Sequence, residues 1–153
     1  MENKQEFKGF KIIKTDDAKD LPLPQRMSRG ASGIDLYAKV DGSAVIKSGE
    51  MQIVPTGVCV SVPVGYEVQV RPRSGLAAKW QVTVLNTPGT IDSDYRGEIC
   101  VILINLGKED YTITRGDRIA QMIISTVVTA DFIEVDTLDD TDRGAGKFGH
   151  TGR

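Results

Sequence analysis

At 153 residues the chain is sized for one domain with its own core, and its formal charge of -2 is small. No basic run or face dominates, which argues against a general nucleic-acid binder or a membrane-surface protein, so an anionic partner must be held by local groups. Two separated cysteines, Cys59 and Cys100, and one histidine, His150, make no zinc cluster, which excludes zinc deaminase and zinc hydrolase chemistry.

No stretch reaches membrane-spanning length and the first residues carry no apolar signal region, so a cytoplasmic protein is expected. Cys59 and Cys100 suit that compartment as buried, reduced small hydrophobes.

In chain order, the first chemistry-bearing segment is ASGIDLYA, Ala31 to Ala38. It sets Asp35 among small and apolar residues. A metal would explain such a carboxylate, since Mg²⁺ takes oxygen ligands and keeps its waters. An acid at a strand edge explains it equally. Three strand patterns follow, over Met51 to Val54, Val58 to Val62 and Tyr66 to Val70, each β-branched or alternating and bounded by turn residues.

RPRSGLA, Arg71 to Ala77, leads into the best helical candidate, Leu76 to Lys79, with Ser74 or Gly75 able to cap it. Free N–H groups at a helix start, beside guanidinium forks, can cradle phosphate. Alternatively, Arg71 and Arg73 are exposed strand-end charges and Ser74 is a cap.

Val82 to Leu85 and Ile99 to Leu106 read as strands flanking NTPGTIDSDYRGE, Asn86 to Glu98. Pro88-Gly89 has the residues of a type II turn. The segment places Asp92, Ser93, Asp94, Tyr95 and Arg96 beside a hairpin mouth, where a small planar ligand could meet free backbone amides. The plainer alternative is a solvated turn shaped by its acids. RGDRIAQM, Arg115 to Met122, joins a turn at Gly116-Asp117 to a strand, Ile119 to Val128, that carries Gln121; phosphate oxygens would satisfy the Gln121 amide donors.

Beyond Thr129 the pattern decays. RGAGKFGHTG, from Arg143, resembles a phosphate loop, but Thr141 and Phe148 stand where a Walker A segment needs Gly and Ser or Thr. Residues 141–153 therefore read as a flexible Gly-rich arm after a β domain over 1–140. An isolated aromatic in so polar a tail gains little unless it docks, and Phe148 could stack on a base.

Taken together and in this order, the five segments resemble the motifs of the trimeric dUTPases from about Pro24 onward. The resemblance implies an all-β fold, a β-clip or distorted jelly-roll with one short helix, assembled as a homotrimer with sites shared between chains. It implies Mg²⁺-dependent hydrolysis of dUTP to dUMP and pyrophosphate, which limits uracil incorporation into DNA and supplies dUMP for dTMP synthesis. By the same resemblance, Asp92 activates water, Tyr95 lies against the deoxyribose, and Asn86 with the backbone of Thr90, Ile91 and Cys100 binds uracil. Asp35 would hold Mg²⁺ through water, and Arg73, Ser74, Gly75 and Gln121 would contact phosphates. Arg143 and the backbone near His150 and Thr151 would hold the terminal phosphates, with Phe148 over the uracil. The chain departs from the pattern at Lys147, where Gly is common, and at His150, where Ser is frequent. Two other readings remain open: a dCTP deaminase of the same fold, and a non-catalytic trimeric nucleotide sensor or repressor-binding module.

Overall fold

The computed structural model describes residues 9–148. Its strands are β1 (Lys11–Lys14), β2 (Ile34–Tyr37), β3 (Ser43–Ile46), β4 (Met51–Ser61), β5 (Tyr66–Arg71), β6 (Val82–Val84), β7 (Gly89–Ile91), β8 (Glu98–Asn105), β9 (Tyr111–Thr114) and β10 (Arg118–Thr126). One α-helix, α1 (Ser74–Trp80), and a single 3₁₀ turn, Asp16–Ala18, complete the described elements. Two four-stranded sheets, ordered β1-β4-β8-β6 and β2-β10-β5-β7, and a β3-β9 ribbon are all antiparallel. This is the expected all-β jelly-roll type of architecture. None of the described helices is long and apolar enough to cross a membrane.

Alternation builds the core. In β8, Ile99, Val101 and Leu103 point inward and are buried, as are Val54, Val58 and Val60 of β4 and Val82 and Val84 of β6. Leu36, Val68, Val70, Ala120 and Met122 of the other large sheet belong to the same cluster, with Ile46 and Ile113 from the ribbon. Period-two burial with β-branched side chains is what a two-layer sheet core requires.

β4 runs unbroken from Met51 to Ser61, joining the predicted segments 51–54 and 58–62 and ending one residue short of the second. A bulge between Pro55 and Cys59 joins them, centred on Gly57 at φ +72°, where a side chain would strike Ala18. Pro55 and Gly57 read as breaks in the sequence, yet both fit a bulged strand. Both cysteines are free, but Cys100 is exposed and Cys59 half-buried, so they are not the buried pair expected. Alternation in β8 explains this, because Cys100 lies between the inward Ile99 and Val101.

The outward face of this sheet is unusually apolar. Met51 stands opposite Ile104, Ile53 opposite Ile102, and Pro55 opposite Cys100. Met51 and Ile53 are each at least half exposed. Beyond β10, residues 127–148 carry no strand or helix, and Phe132, Ile133, Val135 and Leu138 project into solvent. A lone soluble domain rarely leaves so much contiguous apolar surface uncovered.

Asn105 secures the far end of β8. Fully buried, its Nδ2 donates to Ile46 O at 2.9 Å and to Glu109 O at 2.8 Å, while Oδ1 accepts from Gly107 N at 2.9 Å. Asn105→Ala strands three backbone groups, and the expected cost is about 2 to 4 kcal/mol of unfolding free energy. Urea unfolding at fixed protein concentration measures it; a loss below about 1 kcal/mol would show that water replaces all three bonds.

Candidate functional site

The segment from Asn86 to Gly97 builds a cleft between the two sheets. β6 and β8 are paired arms of a wide hairpin, in register Val82 to Asn105 and Val84 to Leu103, closed by Leu85 N donating to Ile102 O at 2.8 Å. Between these arms the chain crosses to the other sheet, where β7 pairs with β5, Val70 opposite Gly89 and Val68 opposite Ile91. The hairpin mouth therefore exists, but its tip belongs to a second sheet. The expected type II turn is absent: the Thr87–Pro88 bond is cis, and Gly89 is already extended in β7 without a positive φ.

The resulting cleft holds about 360 Å³ and is lined by Asn86, Gly89, Thr90, Ile91, Asp92, Tyr95, Glu98 and Cys100 over a floor of Ile53, Val70, Val84, Val101 and Ile102. β7 is the edge of its sheet, and β6 leaves β8 at Leu85, short of Cys100. Two stretches of strand backbone thus line the cleft with one side unpaired. An edge of this kind offers N–H and C=O groups to whatever lies beside it. Gly89 keeps the wall close, since a side chain there would press on Val70 and the Asn86 amide. Partial desolvation by the cleft walls, reinforced by the negative Glu98, raises the thiol of the otherwise exposed Cys100 above its ordinary range and disfavours the thiolate.

Asp92 stands exposed at the rim. The turn after it is closed by Tyr95 N donating to Asp92 O at 3.2 Å and by Arg96 Nη1 donating to the carbonyls of Ser93 and Tyr95 at 2.7 and 2.8 Å. Backbone and Arg96, rather than the Asp92 carboxylate, shape this turn. The Tyr95 ring folds over Gly97, where any side chain would collide with it, and its hydroxyl donates to Glu98 O at 2.9 Å.

A second cleft of about 250 Å³ gathers the phosphate candidates: Asp35, Arg73, Ser74, Gly75 and Gln121, with Gly33, Met27, Ala31 and Arg118. Register explains the assembly, because Gln121 of β10 lies between Asp35 of β2 and Arg71 of β5. Gln121 Nε2 donates to Pro72 O at 2.9 Å, and Gly33 leaves room for the Gln121 amide that a side chain would fill. Asp35 is buried, with one carboxylate oxygen 3.1 Å from Arg118 Nη1 and the other 3.7 Å from Arg73 Nε. Arg73 Nη1 in turn donates to Arg118 O at 3.0 Å. Arg118 carries no local signal in the sequence; it sits three residues before Gln121, at the start of β10, one residue ahead of the predicted strand start at Ile119.

Ser74 is the first residue of α1 rather than its cap. Arg73 is the N-cap and makes no side-chain cap bond, so the Ser74 hydroxyl is not used in capping.

The two clefts share no lining residue, which separates Asp92, Tyr95 and Asn86 from Arg73, Ser74 and Gln121. Arg143 and Phe148 line neither, and the Phe148 side chain is fully exposed. His150 and Thr151 lie outside the described residues.

The chain is similar to known proteins over nearly its whole length. The deoxyuridine 5'-triphosphate nucleotidohydrolase of Caldanaerobacter subterraneus subsp. tengcongensis is 58% identical over 143 residues, 94% of this chain and 97% of that protein. The protein of the same name from Neorickettsia sennetsu is 52% identical over 142 residues, 93% of this chain and 95% of that one. Among solved structures, a Staphylococcus bacteriophage 80alpha dUTPase with dUpNHpp superposes with a TM-score of 0.84 at 22% identity, covering 95% of this chain and 99% of that one. A dUTPase from phage phi11 of S. aureus, described with a structural Mg(II) ion, gives 0.75 at 20% identity and covers 86% and 99%. The dUTPase family model spans residues 19–152, and with relatives this similar over nearly the whole chain, the protein belongs to the dUTPase family.

Proposed function

We infer that the protein hydrolyses dUTP to dUMP and pyrophosphate. The observation that carries this reading is the inter-sheet cleft, where backbone edges of β7 and β8, the Asn86 amide, Tyr95 and the Asp92 carboxylate surround one space. Uracil and cytosine interchange a donor and an acceptor, so backbone groups fixed to satisfy one base leave the other unpaired. A tight wall at Gly89 would likewise crowd the methyl of thymine. Asn86 and the backbone of Thr90, Ile91 and Cys100 hold the base, while Tyr95 packs against the deoxyribose.

Asp92 is the general base. A carboxylate can accept a proton from a water it orients, so no covalent nucleophile is needed. The polar cleft takes the phosphates: Arg73 and Gln121 donate from their side chains, and Ser74 and Gly75 supply hydroxyl and backbone groups.

Among the described residues no group of three His, Cys, Asp or Glu can hold a metal by itself. A single buried carboxylate, Asp35, beside a cleft suited to phosphate fits Mg²⁺ that arrives with the triphosphate and keeps its waters. When bound, the ion would offset phosphate charge.

A homotrimer accounts for the rest. The apolar outer face of the first sheet and the apolar side chains after β10 need cover, and the two clefts hold different parts of one catalytic set. The arm, 141–153, closes over a site with Arg143, Phe148, His150 and Thr151, and the assembled enzyme works in the cytoplasm. The deciding experiment offers the protein dUTP and dCTP separately. Pyrophosphate from dUTP establishes the reading; ammonia from dCTP would assign a deaminase, and neither product would leave a nucleotide sensor.

Sugar choice follows from Tyr95. A ring held beneath the deoxyribose by Glu98 O and Gly97 leaves no room for a 2'-hydroxyl, so Tyr95→Ala should admit UTP. The dUTP-to-UTP ratio of kcat/KM should fall by about tenfold or more, and an unchanged ratio would sink the steric account.

A further inference from the structure

Behind Tyr95 stands an ion-pair cluster that the chemistry above does not use. Lys39, just after β2, places Nζ 2.7 Å from Asp17 Oδ2 and 3.2 and 3.3 Å from the two Glu98 carboxylate oxygens. Glu98 Oε1 also accepts from Gly57 N at 2.7 Å, at the β4 bulge. Lys39 N donates to Pro55 O at 2.8 Å on the near side of that bulge. The Lys39 side chain is 12% exposed and that of Glu98 25%, whereas Asp17 is largely in solvent. Hydrogen bonding to Asp17 first, and then to Glu98, holds the Lys39 ammonium above its ordinary value, so the cation is secured.

Glu98 faces two ways. Its carboxylate is gripped by Lys39 and Gly57, and its backbone carbonyl accepts the Tyr95 hydroxyl. A half-buried carboxylate that loses its cation moves toward water, because an unpaired charge is costly away from solvent. That movement would free Gly57 N, turn the Glu98 peptide and release the Tyr95 ring.

We propose that Lys39 and Glu98 are positioning residues that set sugar selectivity by fixing the carbonyl on which Tyr95 rests. The proposal rests on the dUTPase reading. In it, the ion pair transmits its effect through one peptide group, from the β4 bulge to the wall of the sugar pocket.

Lys39→Met, Lys39→Arg and Glu98→Gln test the role, with Asp110→Asn as the control. Asp110 Oδ1 accepts from Ser48 N at 3.1 Å beside the Asn105 end of β8, the opposite end of that strand from Glu98. Lys39→Met and Glu98→Gln should lower the dUTP-to-UTP ratio of kcat/KM by about fivefold, with KM for dUTP rising more than kcat falls. Lys39→Arg should restore most of the ratio, and Asp110→Asn should leave it at the wild-type value even where its Tm falls. If Lys39→Met and Glu98→Gln lose Tm but keep the wild-type ratio, the pair is a stability element and the positioning role is overturned. A wild-type protein inactive on dUTP would instead overturn the function beneath it, so the two failures are separable.

Discussion

Asp92→Asn should retain the fold and bind dUTP with near-normal affinity, while turnover drops by a factor of about 10² to 10⁴. The amide keeps the size of the carboxylate and its place at the rim, yet it cannot accept a proton from water. The turn beneath it is held by the Tyr95 amide and by Arg96, so the substitution removes no bond that closes the turn. Affinity is measured with a non-hydrolysable dUTP analogue and turnover by pyrophosphate release. Near-normal turnover would remove Asp92 from the mechanism and return it to a residue that merely shapes the loop.

The segments carrying chemistry were legible because each joins a turn to a strand at short range. ASGIDLYA, RPRSGLA and RGDRIAQM meet in one cleft because β2, β5 and β10 are neighbours in one sheet. The long strands were legible too, since β8 is a nearly continuous apolar run and β10 is rich in isoleucine. Four-residue strands were not. β1, β3 and β9 offer only two periods of alternation each, and the structure assigns them through partners far away, as when Ser43 of β3 meets Thr114 of β9.

Long-range pairing also hid the residues that organise the site. Arg118 reaches Asp35 across 83 positions, and Lys39 reaches Glu98 across 59. No local period records such a pair. The turn at Pro88-Gly89 failed for a different reason, because composition can name the residues of a turn but not the isomer of the bond before the proline. Cys100 was misplaced by treating cysteine as buried in general, although the alternation of β8 already turned it outward.

Phe148 poses the sharpest question about assembly. An aromatic in a Gly-rich tail should dock, yet within one chain its ring is fully exposed and lines neither cleft. If the missing surface belongs to another copy, the arm and Asp92 of one site come from different chains. Trimers of Asp92→Asn and trimers truncated after Asp142 should then each be nearly inactive. Unfolded together in equal amounts and refolded, they should regain activity, because a mixed site can take Asp92 from a truncated chain and its arm from a full-length one. Random mixing makes roughly a quarter of sites complete. Recovery near that level, with mixed trimers confirmed by mass, establishes sharing. No gain over either parent in confirmed mixed trimers would place arm and base on one chain, and Phe148 would then have to fold back onto the cleft beside its own Asp92.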